Sequence, residues 1–310
     1  MTSTTTRQGQ AAPSRHGRRG GILRLLALLA VTRPQFWPLA WAPVWFGWAV
    51  ATGSWTPGLD DPLRLALVGI VLGPLVWGSV CTVNDLHDLP TDRLNPRRAG
   101  APLVTGLLTA RDMAIWHAVL SLSAVGAAAL VGPRVAAATA VVVLLGRAYS
   151  APPLRLKVRA GWDVAANAVV VGLVAPVAGW SLHRAVADYP PLLGVLGMTV
   201  AAALYLPTTA LDHDPDEHAG MDTFAVRWGP RTTYGLGLVL WVVALVTWLL
   251  ALGSGVLGWA GGVTASQLAG AAVLASLYAA LTRRPTILRL AGIAALFAVV
   301  GADFLMGVLD

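Results

Sequence analysis

Nine stretches almost free of charge recur along the chain, at residues 37–53, 63–83, 112–132, 135–149, 164–181, 191–210, 233–252, 265–281 and 287–308. Each approaches or reaches the ~20 residues that an α-helix needs to cross a ~30 Å hydrocarbon layer. No water in that layer serves an exposed N–H or C=O, so a spanning segment of this kind closes its hydrogen bonds internally as a helix. Breakers inside the stretches, such as Pro74 and Pro176, do not oppose this, because membrane helices tolerate them. The pattern predicts an all-α membrane protein, a nine-transmembrane-helix bundle with residues 21–310 forming a single domain.

Charge agrees with this reading and orients it. Only 12% of the 310 residues are charged, whereas a water-facing surface needs roughly a quarter. The net charge of +7 does not point to nucleic acid, because the basic residues are dispersed between apolar runs. With the N-terminus in the cytosol, segments 1–36, 84–111, 147–163, 211–232 and 282–289 fall on the cytosolic side and hold 19 of the 22 Lys and Arg residues. That partition is the positive-inside bias, and moving the helix count by one scrambles it. The expected location is therefore a cell membrane, crossed many times. Residues 1–20 are polar, basic and without periodicity, which predicts a disordered cytosolic tail. Trp37, Trp41, Trp45 and Trp48 suit a headgroup-level or lipid-facing position on the first span. The lone cysteine, Cys81, reads as a small buried hydrophobe.

Against this background two acidic clusters stand out. Asp85, Asp88 and Asp92 are spaced i, i+3, i+7 and share one face of a helix that continues past the second apolar stretch. In the second cluster Asp212 and Asp216 are i, i+4 and share a face, while Asp214 points roughly opposite. Like charges gathered this way repel unless cations sit among them. Oxygen-only clusters suit a hard divalent ion, and Mg²⁺ prefers one or two carboxylates together with substrate phosphates. His87, His213 and His218 match no helical zinc spacing. Cations for an anionic ligand follow the fourth stretch, where Tyr149, Arg155 and Lys157 lie close together. The physical picture is of metal ions and basic side chains gripping a diphosphate, with an apolar bundle below to take a long hydrocarbon tail.

At these segments the chain resembles the UbiA-type intramembrane prenyltransferases. The run Asn84-Asp85-x-x-Asp88-x-x-x-Asp92, followed by Arg98 and Pro102-Leu103-Val104-Thr105-Gly106, is similar to the family's first aspartate-rich motif and the loop after it. Tyr149 to Lys157, with paired prolines and an Arg-x-Lys ending, resembles a second family segment. The run Asp212-x-x-x-Asp216-x-x-x-Gly220-x-x-Thr223, then Val226-Arg227-Trp228-Gly229, resembles the second aspartate motif. The resemblance implies a polyprenyl diphosphate donor, Mg²⁺, a hydrophobic acceptor, and an active site at the cytosolic side. Carried over by residue, Asp85, Asp88, Asp92, Asp212 and Asp216 hold metal and diphosphate, and Asn84, Arg98, Tyr149, Arg155 and Lys157 bind the diphosphate. Asn167 is implied as a pocket residue, and Asp163 or Asp214 as a proton acceptor. One departure stands at Thr209, where members often carry a further Asp; it implies a more loosely held second metal or a different acceptor side.

The expected reaction is prenyl transfer to an aromatic or lipid acceptor with release of diphosphate. A membrane terpene cyclase on the same scaffold ionises the same donor without an acceptor and remains the alternative. A transporter is the alternative of another class, though its ionisable residues belong near mid-membrane in broken helices, not at span ends.

Overall fold

The structure, a computed structural model, describes residues 15–54, 62–256 and 262–306. All of its regular elements there are helices; the sole β-type contact is an isolated bridge between Arg159 and Asp222. In chain order they are α1 (Arg15–Ala30), α2 (Trp37–Thr52), α3 (Pro62–Asp92), α4 (Ala110–Val131), α5 (Pro133–Ser150) and α6 (Trp162–Trp180). They continue with α7 (Pro191–Leu211), α8 (His213–His218), α9 (Phe224–Gly253), α10 (Ala265–Leu281) and α11 (Ile287–Met306). Five helices, α3, α4, α6, α7 and α9, are long and apolar enough to cross a membrane. Each of the nine expected stretches falls on one helix. The expected tail lies outside the described residues up to position 14, and its last six residues open α1.

The helices begin and bend where local chemistry dictates. Thr109 and Asp112 form a capping box at the start of α4, and Thr264 and Gln267 form one at α10. In α3 the stretch Val71–Trp77 widens to π-helix around Pro74, whose ring lacks an N–H and clashes with the preceding turn. In α6, Val170–Val174 widens in the same way just before Pro176. Gly229 (φ 79°) breaks α9 ahead of Pro230, so Phe224–Trp228 is a separate short turn.

The first apolar stretch differs most from expectation. Thr32 lies against Gly78, Trp37 against Gly73, and the Trp41 indole donates to the Gly69 carbonyl at 3.0 Å. These contacts descend α3 step by step, so α1 and α2 form one interrupted rod along it and the apolar run starts well before residue 37. The interruption is at Arg33, a non-glycine residue held in the left-handed region at φ 52°. The tryptophans of α2 are correspondingly engaged with protein: Trp37 donates to the Thr32 carbonyl and Trp48 to His183.

Close packing and aromatic contacts hold the bundle. A Cβ on Gly179 would lie 1.8 Å from the Val44 carbonyl oxygen, so α2 and α6 touch backbone to backbone. Buried Trp241 of α9 stacks on Tyr278 of α10 with ring centroids 4.9 Å apart. The Tyr278 hydroxyl donates to the Ala203 carbonyl of α7 at 2.6 Å, joining three helices at one point.

Candidate active site

The C-terminal end of α3 carries Asn84, Asp85, Asp88 and Asp92, and the turns that follow α5 come back over it. Pro90 leaves the helix intact through Asp92. Asp85 is buried and accepts from two guanidinium groups, Arg33 at 2.5 Å and Arg98 at 2.7 Å. Arg98 also reaches Asp92 at 3.1 Å. Burial pulls the Arg98 guanidinium down, but Asp85 and Asp92 more than offset this and leave it above its ordinary value.

Lys157 enters from the short turn Leu156–Val158. Its side chain is 7% exposed; the ammonium pairs with Asp88 and donates to Asn84 Oδ1 at 3.1 Å. Burial lowers the Lys157 pKa against the opposing pull of Asp88. Asn84 also accepts from Ser150 Oγ at 3.3 Å. Arg155, at φ 42°, donates to the His87 carbonyl at 3.2 Å while its buried Nε has no partner among the described residues.

The second acidic cluster closes on the first. Asp212 breaks the helix between α7 and α8 and is bound by Arg97, from the loop just beyond Asp92. Asp216 is buried one turn further on, its N–H donating to the Asp212 carbonyl at 2.9 Å. Asp88 is close enough to act on both. Burial, against Arg97, raises the Asp212 pKa, and burial followed by Asp212 and Asp88 pushes Asp216 up to about 7.

Beneath these groups an apolar cavity of about 240 Å³ runs between α2, α3, α5 and α6. Tyr149, next to the Ser150 that bonds Asn84, lines it at the last turn of α5 and Asn167 in the second turn of α6, while Val135 and Leu182 lie at or just past the opposite ends of those helices. Along α5 the fourteen helical steps from Val135 to Tyr149 correspond to ~21 Å at ~1.5 Å per step. Both π-helical segments contribute wall residues, including Val71, Val76, Val170 and Val171. The Tyr149 hydroxyl hydrogen-bonds that of Tyr205.

Most expected site residues therefore converge, and two do not. Asp214 is 86% exposed and pairs with His213, turned away from the other acids. Asp163 is fully buried with both carboxylate oxygens occupied by backbone N–H groups, so it is not placed to accept a proton from a ligand. At the departure in the second motif, the Thr209 hydroxyl turns back onto its own helix and donates to the Leu206 carbonyl. Sequence reasoning missed Arg33, Arg97 and Tyr205. A signal existed for Arg33 alone, a charge followed by Pro34 in the midst of apolar residues.

Comparison with known proteins agrees with this fold. The model of the UbiA prenyltransferase family matches residues 40–292. A lycopene elongase/hydratase of Haloferax volcanii is 31% identical over 242 residues, covering 74% of each chain. A bacteriochlorophyll synthase 33 kDa chain of Cereibacter sphaeroides is 40% identical over 142 residues, 44% of this chain and 43% of its own. A UbiA homologue of Archaeoglobus fulgidus, solved with GPP and Mg²⁺, superposes with a TM-score of 0.66 at 22% identity. That superposition covers 91% of this chain and 99% of the other. A family match over most of the length, carried by an all-helical bundle whose two aspartate clusters meet above an apolar cavity, makes this chain a member of the UbiA prenyltransferase family.

Proposed function

We propose that the chain transfers a prenyl group from an allylic polyprenyl diphosphate to a hydrophobic acceptor in the membrane, with Mg²⁺ and with release of diphosphate. One observation carries the reading: the cationic and acidic groups around Asp88 and Lys157 stand directly over an apolar cavity that Tyr149 and Asn167 join to them. A ligand matching that arrangement has a strongly anionic head and a long hydrocarbon tail.

The residues fit the metal. Among the described residues no three acidic or imidazole side chains gather as a ready metal cage, but Mg²⁺ takes one or two carboxylates together with substrate phosphates, and Asp85, Asp88, Asp92, Asp212 and Asp216 offer carboxylate oxygens of that kind, four of them now held by Arg or Lys. When bound, the metal supplies positive charge to a leaving diphosphate. The chain's own groups do the rest. Lys157, Arg98 and Arg155 bind diphosphate oxygens, and Arg33 and Arg97 stand beside the carboxylates to balance charge. The apolar wall keeps water from the allylic carbon as the carbon–oxygen bond breaks. Tyr149 and Asn167 stand where the head of the donor meets its tail. Asp214 has no part in this site, and the acceptor's proton leaves to bulk water or to diphosphate.

The same proposal includes nine membrane crossings, the first made by α1 and α2 together, with the N-terminus and site facing the cytosol of a cell membrane. The distribution of Lys and Arg supports this orientation. The related lycopene elongase/hydratases favour a long, largely hydrocarbon acceptor. The test is to incubate the purified protein with a ladder of allylic diphosphates and with aromatic and isoprenoid acceptors, with and without Mg²⁺. The expected result is Mg²⁺-dependent diphosphate release and an acceptor heavier by one prenyl unit. A cyclic hydrocarbon made from the donor alone would replace the reading by cyclisation.

A further inference from the structure

Asp163 poses a physical problem that the proposed reaction does not use. It is 0% exposed, and among the described residues no cation pairs with it. A carboxylate buried in that way is costly unless something else satisfies it. Its two oxygens accept from the Gly161 N–H and the Phe224 N–H, both at 2.8 Å. The first N–H belongs to the residue just before α6 and the second opens the short turn Phe224–Trp228, so two backbone N–H groups without a helical partner stand in for the missing cation. Among the described residues Thr223, the N-cap of that turn, makes no side-chain cap bond, so the Asp163 carboxylate serves the Phe224 N–H in its place. Beside it, the backbones of Arg159 and Asp222 meet in the isolated parallel bridge.

Two site groups lie on the segments thus joined. On the α6 side the chain from Arg155 to Asp163 is a succession of tight turns, with Val158 N to Arg155 O at 3.1 Å, Arg159 N to Leu156 O at 3.0 Å and Trp162 N to Arg159 O at 2.9 Å. It leaves no slack between Asp163 and Lys157. On the α9 side Met221 N donates to Asp216 O at 2.9 Å, so the strand of chain before Phe224 is tied to the second acidic cluster.

We propose that Asp163 is a positioning residue: it fixes the turn bearing Lys157 against the segment bearing Asp216, and so sets the span of the diphosphate site. The inference rests on the donor site proposed above. It differs from a simple capping role in what it requires of the length of the strut, since a cap tolerates a longer carboxylate that a spacer does not.

The test uses the purified full-length protein, an allylic diphosphate donor with acceptor, and saturating Mg²⁺, with diphosphate release as the rate and thermal unfolding as the measure of folding. Asp163→Glu keeps both acceptor oxygens but adds one carbon–carbon bond, about 1.5 Å, to the strut. The expected result is a fall in kcat/KM of about 100-fold, as for a ~1 Å displacement at a reacting centre. Most of it is expected in kcat, with the unfolding midpoint nearly unchanged. Asp163→Asn, which offers one acceptor oxygen in place of two, is expected to lose activity similarly. A disulfide from Arg159→Cys and Asp222→Cys, placed at the bridge in the Asp163→Asn background, then restores activity when oxidised and not when reduced. Wild-type kcat/KM in Asp163→Glu overturns the inference, as does a formed disulfide that restores nothing. Absence of diphosphate release from the wild-type protein instead strikes the proposed function.

Discussion

Replacing Lys157 by Met removes the charge at the centre of the site while keeping most of the side chain's bulk. The aliphatic stem of Lys157 is packed, with the residue 7% exposed, and Met can fill that space with little loss. What disappears is the ammonium, which contacts Asp88 and Asn84 and in the proposed reaction binds diphosphate oxygen. Hydrogen bonds to charged groups contribute about 1.5–3 kcal/mol each. Two such bonds to the departing group correspond to roughly 3–6 kcal/mol, or about two to four orders of magnitude in kcat/KM at ~1.4 kcal/mol per decade. The variant also leaves Asp88, 14% exposed, without its cation. A stranded carboxylate of this kind costs several kcal/mol unless it takes up a proton or a metal. The Lys157→Met protein is therefore expected to be less stable without Mg²⁺ and to regain part of that loss when Mg²⁺ is added. The assay is initial-rate diphosphate release over a donor series, paired with thermal unfolding at several Mg²⁺ concentrations. More than a tenth of wild-type kcat/KM in a folded Lys157→Met protein refutes the placement of Lys157 on the leaving group.

Three further outcomes follow from other parts of the molecule. Asp216→Ala is expected to lose most diphosphate release and Asp214→Ala to keep most of it, because the first carboxylate is buried in the site and the second is 86% exposed; equal losses contradict the assigned faces. Burial, with Asp212 and Asp88, pushes Asp216 up to about 7, so it is protonated below that pH and metal must displace the proton. The Mg²⁺ concentration giving half-maximal rate is therefore expected to rise as pH falls from 8 to 6, and a flat profile argues against Asp216 as a ligand. Gly179→Ala places a methyl against the Val44 carbonyl; it is expected to lower stability by about 1–3 kcal/mol and the unfolding midpoint with it.

Much of the bundle was legible because hydrocarbon imposes one rule on every segment that crosses it. The nine apolar stretches each coincide with a helix, including 135–149 and 265–281, whose lengths are marginal. The i, i+3, i+7 spacing correctly placed Asp85 and Asp88 on neighbouring turns, since helical register is local. Relations between helices are not local, and here the reading stopped. Nothing in the run from Ile22 to Val31 told whether it belonged with the first crossing, because an apolar run just before Arg33 and Pro34 also fits a membrane-surface segment. The contact of Arg33 with Asp85 exists only because the rod breaks there and turns the side chain inward. Arg97 looked like one more positive flank until the structure set it beside Asp212, 115 residues away. Asp163 sits in the first turn of α6, a position open to a ligand-facing or a capping role; only the distant Phe224 N–H decides between them.

The balance of charge around the site makes a last demand on how its ligands arrive. Five carboxylates, Asp85, Asp88, Asp92, Asp212 and Asp216, face five cations, Arg33, Arg97, Arg98, Arg155 and Lys157, so the cluster is formally neutral with Asp216 ionised. A donor diphosphate entering alone adds about three negative charges, and a lone Mg²⁺ adds two positive ones. In a poorly solvated site either imbalance is expensive, whereas metal and diphosphate together come close to cancelling. Donor and Mg²⁺ are therefore expected to bind cooperatively, each raising the affinity of the other by the same factor, within about 5–150-fold for a coupling of ~1–3 kcal/mol. Equilibrium titration with a non-hydrolysable thiodiphosphate analogue, with and without Mg²⁺, measures one side of that cycle, and Mg²⁺ titration with and without the analogue measures the other. Removing one cation by Arg97→Gln leaves the cluster negative, which is expected to strengthen Mg²⁺ binding in the absence of donor and to reduce the coupling. Independent binding in the wild-type protein would mean that the paired Arg and Lys contacts do not exchange with the ligands, and that the carboxylates they hold are not the metal site.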